Sequence, residues 1–197
     1  MGIALDFLRI WRLGLFQPLK AFNELKNKQA PLWGLKAVLI RFVGGSILGA
    51  ILLFLLPNQI PFEKPYINLI SEDVYYIAQV FFLPLFSIMM WLLMSSIAHV
   101  IFRFSRKASV FDQILNIVGL GMLIPMPVVW IWDHAMIVLN AYLIIVMSIS
   151  PIIFQSWEIT IESIGFTRIL GIKPFVSICV SILINVVFIF GVILFVR

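Results

Sequence analysis

Charged side chains are scarce in this chain of 197 residues: they make up 12% of the sequence, whereas hydrophobic residues make up 62%. The mean hydropathy is +1.11, a value that soluble globular domains of this length do not normally reach. A soluble fold is therefore excluded, and most apolar side chains must face lipid or other helices. Cysteine is equally scarce, since Cys179 is the only one, and a single thiol excludes an intramolecular disulfide.

Catalytic and targeting motifs are missing as well. No GxSxG, SxxK or HExxH pattern occurs, and these are the spacings that place a nucleophile or a zinc ion. We therefore predict a non-enzymatic protein that needs no cofactor and has no metal site. The N-terminal residues lack a continuous apolar segment with a small-residue cleavage site, and Asp6 breaks the myristoylation pattern after Gly2. Neither a cleaved signal nor a lipid anchor is expected.

Long apolar runs are what the chain has in place of these features. A membrane-spanning helix needs about 20 mainly apolar residues. Five windows satisfy this requirement, at residues 36–56, 76–102, 110–132, 135–156 and 174–196. We predict an all-α membrane protein, a bundle of five transmembrane helices, in which a cytosolic tail at 1–32 precedes the membrane domain at 33–197. The outer loop at 57–75 has no readable fold.

The tail has an amphipathic pattern. The tail sets one helical face, of Phe7, Leu8, Trp11 and Leu15, against another, of Asp6, Arg9 and Arg12. This pattern predicts an amphipathic helix that lies at the interface of the inner leaflet. The chain has a formal net charge of +5, and the tail supplies much of it. Attraction to anionic inner-leaflet lipid explains this charge, so we expect the lipid bilayer as a partner and no nucleic acid.

The distribution of basic residues sets the predicted orientation. Lys and Arg concentrate in the cytosolic loops of membrane proteins, and a cytosolic N-terminus puts most of the 14 basic residues on that side. They occupy the tail, the turn after the second span and the turn after the fourth. We therefore predict a cytosolic N-terminus and an outer C-terminus. The brevity of the chain favours the plasma membrane of a bacterium or archaeon, with a Golgi or endoplasmic reticulum membrane as the alternative.

Each predicted span carries one polar stripe. Arg41, Gly45 and Gly49 are spaced four residues apart, so the arginine shares a face with a GxxxG pair that allows close helix packing. Ionisable groups inside a span usually face the bundle interior, and an unpaired one is costly. Asp112 or Glu158 is therefore the expected partner of Arg41. The stripes together predict a polar cluster near the cytosolic side, made of Arg41, His99, Asp112, Asn116, Gln155, Glu158 and Glu162.

The sequence leaves several roles open for this cluster. The simplest is structural, because polar contacts between helices contribute on the order of 1 kcal/mol each and still select one arrangement. An imidazole with carboxylates also suits a divalent metal or a proton relay, although the spacing matches no recognised ligand pattern. Docking of a lipid headgroup or of a protein partner at this face is the remaining alternative.

Three segments resemble the Yip1-domain membrane proteins. They are FQPLKAFNELKNK before the first span, SSIAHVIFRFSRKASVFDQILNIVGLGMLIPM around the turn after the second, and WEITIESIGFTRILG between the last two. The resemblance covers nearly the whole chain and implies five spans with a cytosolic N-terminal region. Eukaryotic members act in early secretory traffic with Rab-type GTPases and coat components, and they carry a long N-terminal segment. The short tail here is more similar to bacterial and archaeal members, and the resemblance implies no catalytic residue.

These observations favour a non-enzymatic adaptor or organiser that recruits a partner through its basic cytosolic face. The partner is a membrane protein or a second copy of this chain. The alternative is a small transporter, channel or lipid-translocating protein that uses the polar cluster as its path. A third hypothesis, an intramembrane metal-dependent hydrolase, requires a bound metal.

Overall fold

The chain is helical in the parts that the structure describes. The computed structural model describes residues 2–28, 30, 32–55, 72–104, 110–139 and 144–195. In chain order the helices are α1 (Gly2–Phe16), α2 (Pro18–Lys26), α3 (Trp33–Leu55), α4 (Glu72–Phe104), α5 (Phe111–Leu123), α6 (Met126–Val138), α7 (Ile144–Leu170) and α8 (Pro174–Phe195). The predicted all-α class is confirmed for these residues. Most of the outer loop predicted at 57–75 lies outside them.

Four stretches of the described chain are long and apolar enough to cross a membrane. They are Trp33–Ile51, Phe81–Phe104, Phe111–Val138 and Pro174–Phe195. The third stretch covers α5 and α6 together, and the four correspond to the first, second, third and fifth predicted spans. α7, which lies where the fourth span was predicted, is not among them. The structure therefore supports a multi-pass membrane protein with four such stretches in its described part.

The fourth predicted span, 135–156, differs from the observed helices at both ends. α6 continues to Val138, and α7 runs on to Leu170. The predicted window ends before Glu158 because carboxylates are costly inside a span. The helix continues past Glu158 and Glu162 because both side chains are buried and hydrogen-bonded within the protein.

Two prolines divide the third predicted span. Pro125 and Pro127 lie at the junction of α5 and α6, since a proline has no N–H to donate and its ring clashes with the preceding turn. Pro84 and Pro151, by contrast, stay inside α4 and α7. A helix end leaves its last carbonyl groups without partners in the helix. The end of α5 is therefore a place where another side chain can donate a hydrogen bond.

α5 lies at the centre of the bundle. It packs against α3, α4 and α7, and its residues from 116 to 123 are all buried. Its contact with α3 is an approach of two backbones, because a Cβ atom built on Gly119 would overlap the carbonyl oxygen of Gly34. Trp91 of α4 adds a hydrogen bond from its Nε1 to the carbonyl oxygen of Leu115 at 2.9 Å. These contacts fix α5 between its neighbours.

The predicted GxxxG pair is not the place where α3 packs most closely. Among the described residues, a Cβ atom on Gly49 would meet nothing within 4 Å, and one on Gly45 would lie 3.6 Å from the indole nitrogen of Trp130. The close approach occurs instead at Gly34, in the first turn of α3. In the part of the chain that the structure describes, Gly49 therefore makes no close helix contact, and α3 meets α5 most closely through its opposite end.

We expect Gly119→Ala to destabilise the protein and Gly49→Ala to leave its stability nearly unchanged. The methyl group at Gly119 would push α3 away from α5, and overpacking of this kind costs about 1–3 kcal/mol. The methyl group at Gly49 would enter open space. Thermal unfolding in detergent, followed by circular dichroism, compares the two variants. Equal melting temperatures would contradict the backbone contact.

The tail is helical, and it folds back on itself as two helices that pack on the bundle. Ion pairs join Arg9 to Glu24 at 3.3 Å and Lys28 to Asp6 at 2.6 Å. α2 packs against α7, where Phe22 is fully buried. The placement of this hairpin at the inner leaflet stays a prediction. Large apolar side chains remain exposed on it, at Leu5, Leu8, Phe16 and Leu19.

Candidate functional site

Arg41 of α3 lies inside the bundle and pairs with Glu158 of α7. Its Nη1 lies 2.6 Å from Glu158 Oε1, and the two side chains are only 11% and 3% exposed. The same nitrogen donates a hydrogen bond to the carbonyl oxygen of Met122 at 2.7 Å. The rings of Phe42 and Phe188 lie near the guanidinium, with centroids 5.1 Å and 5.5 Å from its carbon. The pair therefore links α3, α5 and α7 in a largely apolar setting.

The break after α5 explains why Arg41 reaches a backbone carbonyl. The last carbonyl groups of a helix have no N–H donor within it. The donor that a continuous helix would offer to Met122 is the N–H of Met126, which belongs to α6 instead. Met122 is the second-last residue of α5, and Arg41 provides the donor from outside. The polar stripe of the first span pointed to Arg41 but not to this acceptor. The proline pair was the signal, because it marks a helix end within an apolar run.

A second carboxylate lies one turn farther along α7. Glu162 is fully buried, and its Oε2 accepts a hydrogen bond from Asn185 Nδ2 of α8 at 2.6 Å. Asn185 Oδ1 in turn accepts a hydrogen bond from Gln155 Nε2. Gly121 of α5 leaves room for this acid, because a Cβ atom built there would lie 2.5 Å from Glu162 Cγ. Glu162 is thereby tied to α8 and packed against α5.

These groups form two bonded sets that lie one turn apart on α7, namely Arg41 with Glu158, and Asn185 with Gln155 and Glu162. We call these five residues together the buried network. α7 supplies three of its members because residues spaced three and four apart share one helix face. Asn185 lies midway along the 22 residues of α8. The network therefore lies deep in the bundle, whereas the polar stripes predicted a cluster near the cytosolic side.

The buried network holds two acids and one cation. Among the described side chains, Arg41 Nε, Glu158 Oε2 and Glu162 Oε1 are buried atoms without a hydrogen-bond partner. Burial of an ionised group without a partner is costly, so this is a place suited to take up a proton or a small cation. Within the described ranges, no three His, Cys, Asp or Glu side chains lie close enough to hold a metal ion.

Asn116, a predicted member of the cluster, bonds to backbone groups instead. Its Oδ1 accepts a hydrogen bond from the N–H of Gly34 at 2.7 Å, and its Nδ2 donates to the carbonyl oxygen of Ala30 at 2.8 Å. The amide thereby fixes the start of α3 against α5, beside the contact of Gly34 with Gly119. Asn116 is a packing residue here, outside the buried network.

His99 and Asp112 also lie apart from the buried network. The ring of His99 packs edge-on against Phe111, with centroids 5.2 Å apart. Asp112 is exposed in the first turn of α5 and lines a cavity of about 330 Å³. Because Asn116 is level with the start of α3, Asp112 lies a further turn away from Arg41. The residues of the single predicted cluster are therefore separated. The register of α5 against α3 leaves His99, Asp112 and Asn116 away from the buried network.

Asn185 is the member of the buried network that the predicted site lacked. It belongs to the stripe of Ser177, Ser181 and Asn185 on the last span, and this spacing was the signal that pointed to it. The stripe contains no ionisable group, so charge alone did not single it out. In the structure it is the residue that joins α8 to both Gln155 and Glu162.

The resemblance to Yip1-domain proteins stays a prediction. No protein-family model, no curated protein and no solved structure matches the chain. The fold, the buried network and the distribution of exposed charge are therefore the features that bear on function.

Proposed function

We propose that the protein is a non-enzymatic, multi-pass membrane protein that acts as an adaptor or organiser and presents a basic cytosolic end to a partner. The observation that carries this proposal is that several helices end close together and bear exposed cations there. Phe102 of α4 and Phe166 of α7 are in edge-to-face contact, with ring centroids 5.0 Å apart. Arg103 and Arg168, which follow them closely in sequence, therefore belong to the same end of the bundle, and both are exposed.

Two further cations belong to this end. Lys173 directly precedes α8 and is exposed. Lys26 ends α2, whose Leu25 lines the same cavity as Ile169 near the end of α7. We call Lys26, Arg103, Arg168 and Lys173 the basic end. Positive charge of this kind marks the cytosolic side of membrane proteins.

The buried network supports a scaffold role for the rest of the molecule. Its polar groups bond to one another and to the end of α5, so they set the arrangement of α3, α5, α7 and α8. The cations of the basic end point outward, where they suit a membrane protein with an acidic cytosolic surface or a second copy of this chain. The resemblance to Yip1-domain proteins is consistent with this role, in a bacterial or archaeal plasma membrane.

Site-specific photo-crosslinking in native membranes tests the proposal. Phe104 ends α4 at the basic end and is 84% exposed, while Phe54 near the opposite end of α3 is 86% exposed and serves as the matched control. We expect a photoreactive phenylalanine at Phe104 to give a protein adduct that Arg103→Gln combined with Arg168→Gln weakens. Capture of lipid alone, or of the same proteins at Phe54, would overturn the adaptor role.

The excess acid of the buried network favours a second candidate, a small transporter, channel or lipid-translocating protein. Glu162 Oε1 has no partner among the described residues, and Glu158 lies one turn away on the same helix. We expect Glu162→Gln to keep the hydrogen bond from Asn185 and to abolish any proton flux into proteoliposomes loaded with a pH-sensitive dye. This candidate would be removed if vesicles that contain the wild-type protein showed no more flux of protons, ions or labelled lipid than protein-free vesicles.

A further inference from the structure

We propose that a groove between α2, α7 and α8 binds one anionic phospholipid. The groove encloses about 360 Å³ and is lined by Leu19, Ile159, Ile164 and Ile178, with Arg168 also in its wall. These residues come from three helices, so the groove is a feature of the folded chain. The inference goes beyond the proposed function, because it concerns a lipid ligand and does not depend on a protein partner.

The length of the groove matches the acyl chains of one leaflet. From Ile159 to Arg168 the axis of α7 rises about 14 Å at the usual helical rise, and both residues line the groove. Half of a bilayer's hydrocarbon core is about 15 Å thick. A hydrogen bond of 3.1 Å, donated by Thr167 Oγ1 to Ser177 Oγ, holds the last turn of α7 beside the first turn of α8. The groove thus has a fixed end at Arg168.

The hydroxyl groups along the groove are already satisfied by the protein. Thr160 Oγ1 donates to the carbonyl oxygen of Ser156 at 2.8 Å, and Ser163 Oγ donates to that of Ile159 at 2.7 Å. They therefore leave aliphatic surface for an occupant to contact. A surface of this kind suits an acyl chain better than a polar solute.

Positive charge collects where the groove ends. Arg168 in the last turn of α7 and Lys173 before α8 are both exposed. α8 begins at Pro174, and the first N–H groups of a helix lack helical partners and favour an anion. Basic sites between helices on the cytosolic side bind anionic headgroups. A phospholipid whose phosphodiester lies at Arg168 and whose acyl chain lies along the groove therefore matches both the positive charge and the apolar wall.

Native mass spectrometry of the full-length protein tests the site. The purified chain is mixed with phosphatidylglycerol or with phosphatidylcholine of the same acyl chains, and bound lipid is counted. We expect preferential retention of phosphatidylglycerol, a loss of about fivefold in Arg168→Gln, and little change in Lys36→Gln, which removes an exposed cation of α3. Equal retention of the two lipids, or equal losses in the two variants, would overturn the proposal.

A second pair of variants tests the apolar wall. Thr160 and Ser156 are exposed on α7, and each hydroxyl bonds to a carbonyl of its own helix. Thr160 lines the groove, whereas Ser156 is not in its described lining. We expect Thr160→Phe to fill the groove and lower phosphatidylglycerol retention, and Ser156→Phe to leave it unchanged. Unchanged retention in a folded Thr160→Phe variant would also overturn the site. If that variant unfolds, the comparison of Arg168→Gln with Lys36→Gln decides.

Discussion

Arg41→Met is expected to lower the free energy of unfolding by about 3–5 kcal/mol, because it leaves an uncompensated charge inside the bundle. Glu158 is only 3% exposed at its side chain and would lose the guanidinium that pairs with it. The carbonyl oxygen of Met122 would lose its donor at the same time. Unfolding of the purified protein in mixed micelles with increasing denaturing detergent, followed by circular dichroism, measures the change.

Lys36→Met is the matched control for this variant. Lys36 is an exposed basic residue of the same helix, α3, so its replacement removes an equal charge without disturbing a buried partner. Surface substitutions of this kind change stability by less than about 0.5 kcal/mol. Similar losses in Arg41→Met and Lys36→Met would show that Glu158 does not depend on Arg41.

Asn185→Leu is the second variant for which we expect a large loss, of about 2–3 kcal/mol. It removes the donor to Glu162 Oε2 and the acceptor for Gln155, and Glu162 is fully buried. The same denaturing-detergent titration measures the loss.

Adding Glu162→Leu to Asn185→Leu provides the internal control. Replacement of both hydrogen-bonding partners by apolar groups can be nearly neutral, so we expect the double variant to recover part of the lost stability. A double variant less stable than Asn185→Leu alone would argue against a direct bond between Asn185 and Glu162.

The helical class of the fold was predictable because it follows from composition. An apolar backbone segment in a bilayer has to satisfy its hydrogen bonds internally, and a helix does so locally. The partner of Arg41 was predictable in part for a similar reason. Its charge required an acid at a similar depth, which narrowed the choice to Asp112 or Glu158. The structure pairs it with Glu158.

The division of the polar residues was not predictable from the sequence. Spacing along one helix shows which residues share a face, but not how far that helix slides past its neighbour. The contact of Gly34 with Gly119 sets this register between α3 and α5, and it leaves Asp112 beyond the reach of Arg41. The bond of Arg41 to Met122 depends in addition on a helix end that only the folded chain reveals.

The surface against which the tail packs could not be predicted from its periodicity either. An amphipathic pattern gives the same signal whether the apolar face meets lipid or protein. Here Phe7 is buried against Trp33, with ring centroids 5.4 Å apart, while Leu8 of the same predicted apolar face remains 51% exposed. The tail therefore offers apolar surface both to the bundle and outward.

A double-mutant cycle on Arg41 and Glu158 tests most directly whether this ion pair holds α3 to α7. The cycle compares Arg41→Met, Glu158→Gln and the double variant in the same unfolding titration. We expect the double variant to lose much less stability than the two single losses together, with a coupling free energy of about 2–3 kcal/mol. Losses that add to within about 0.5 kcal/mol would show that the two side chains act independently, and would contradict the buried network.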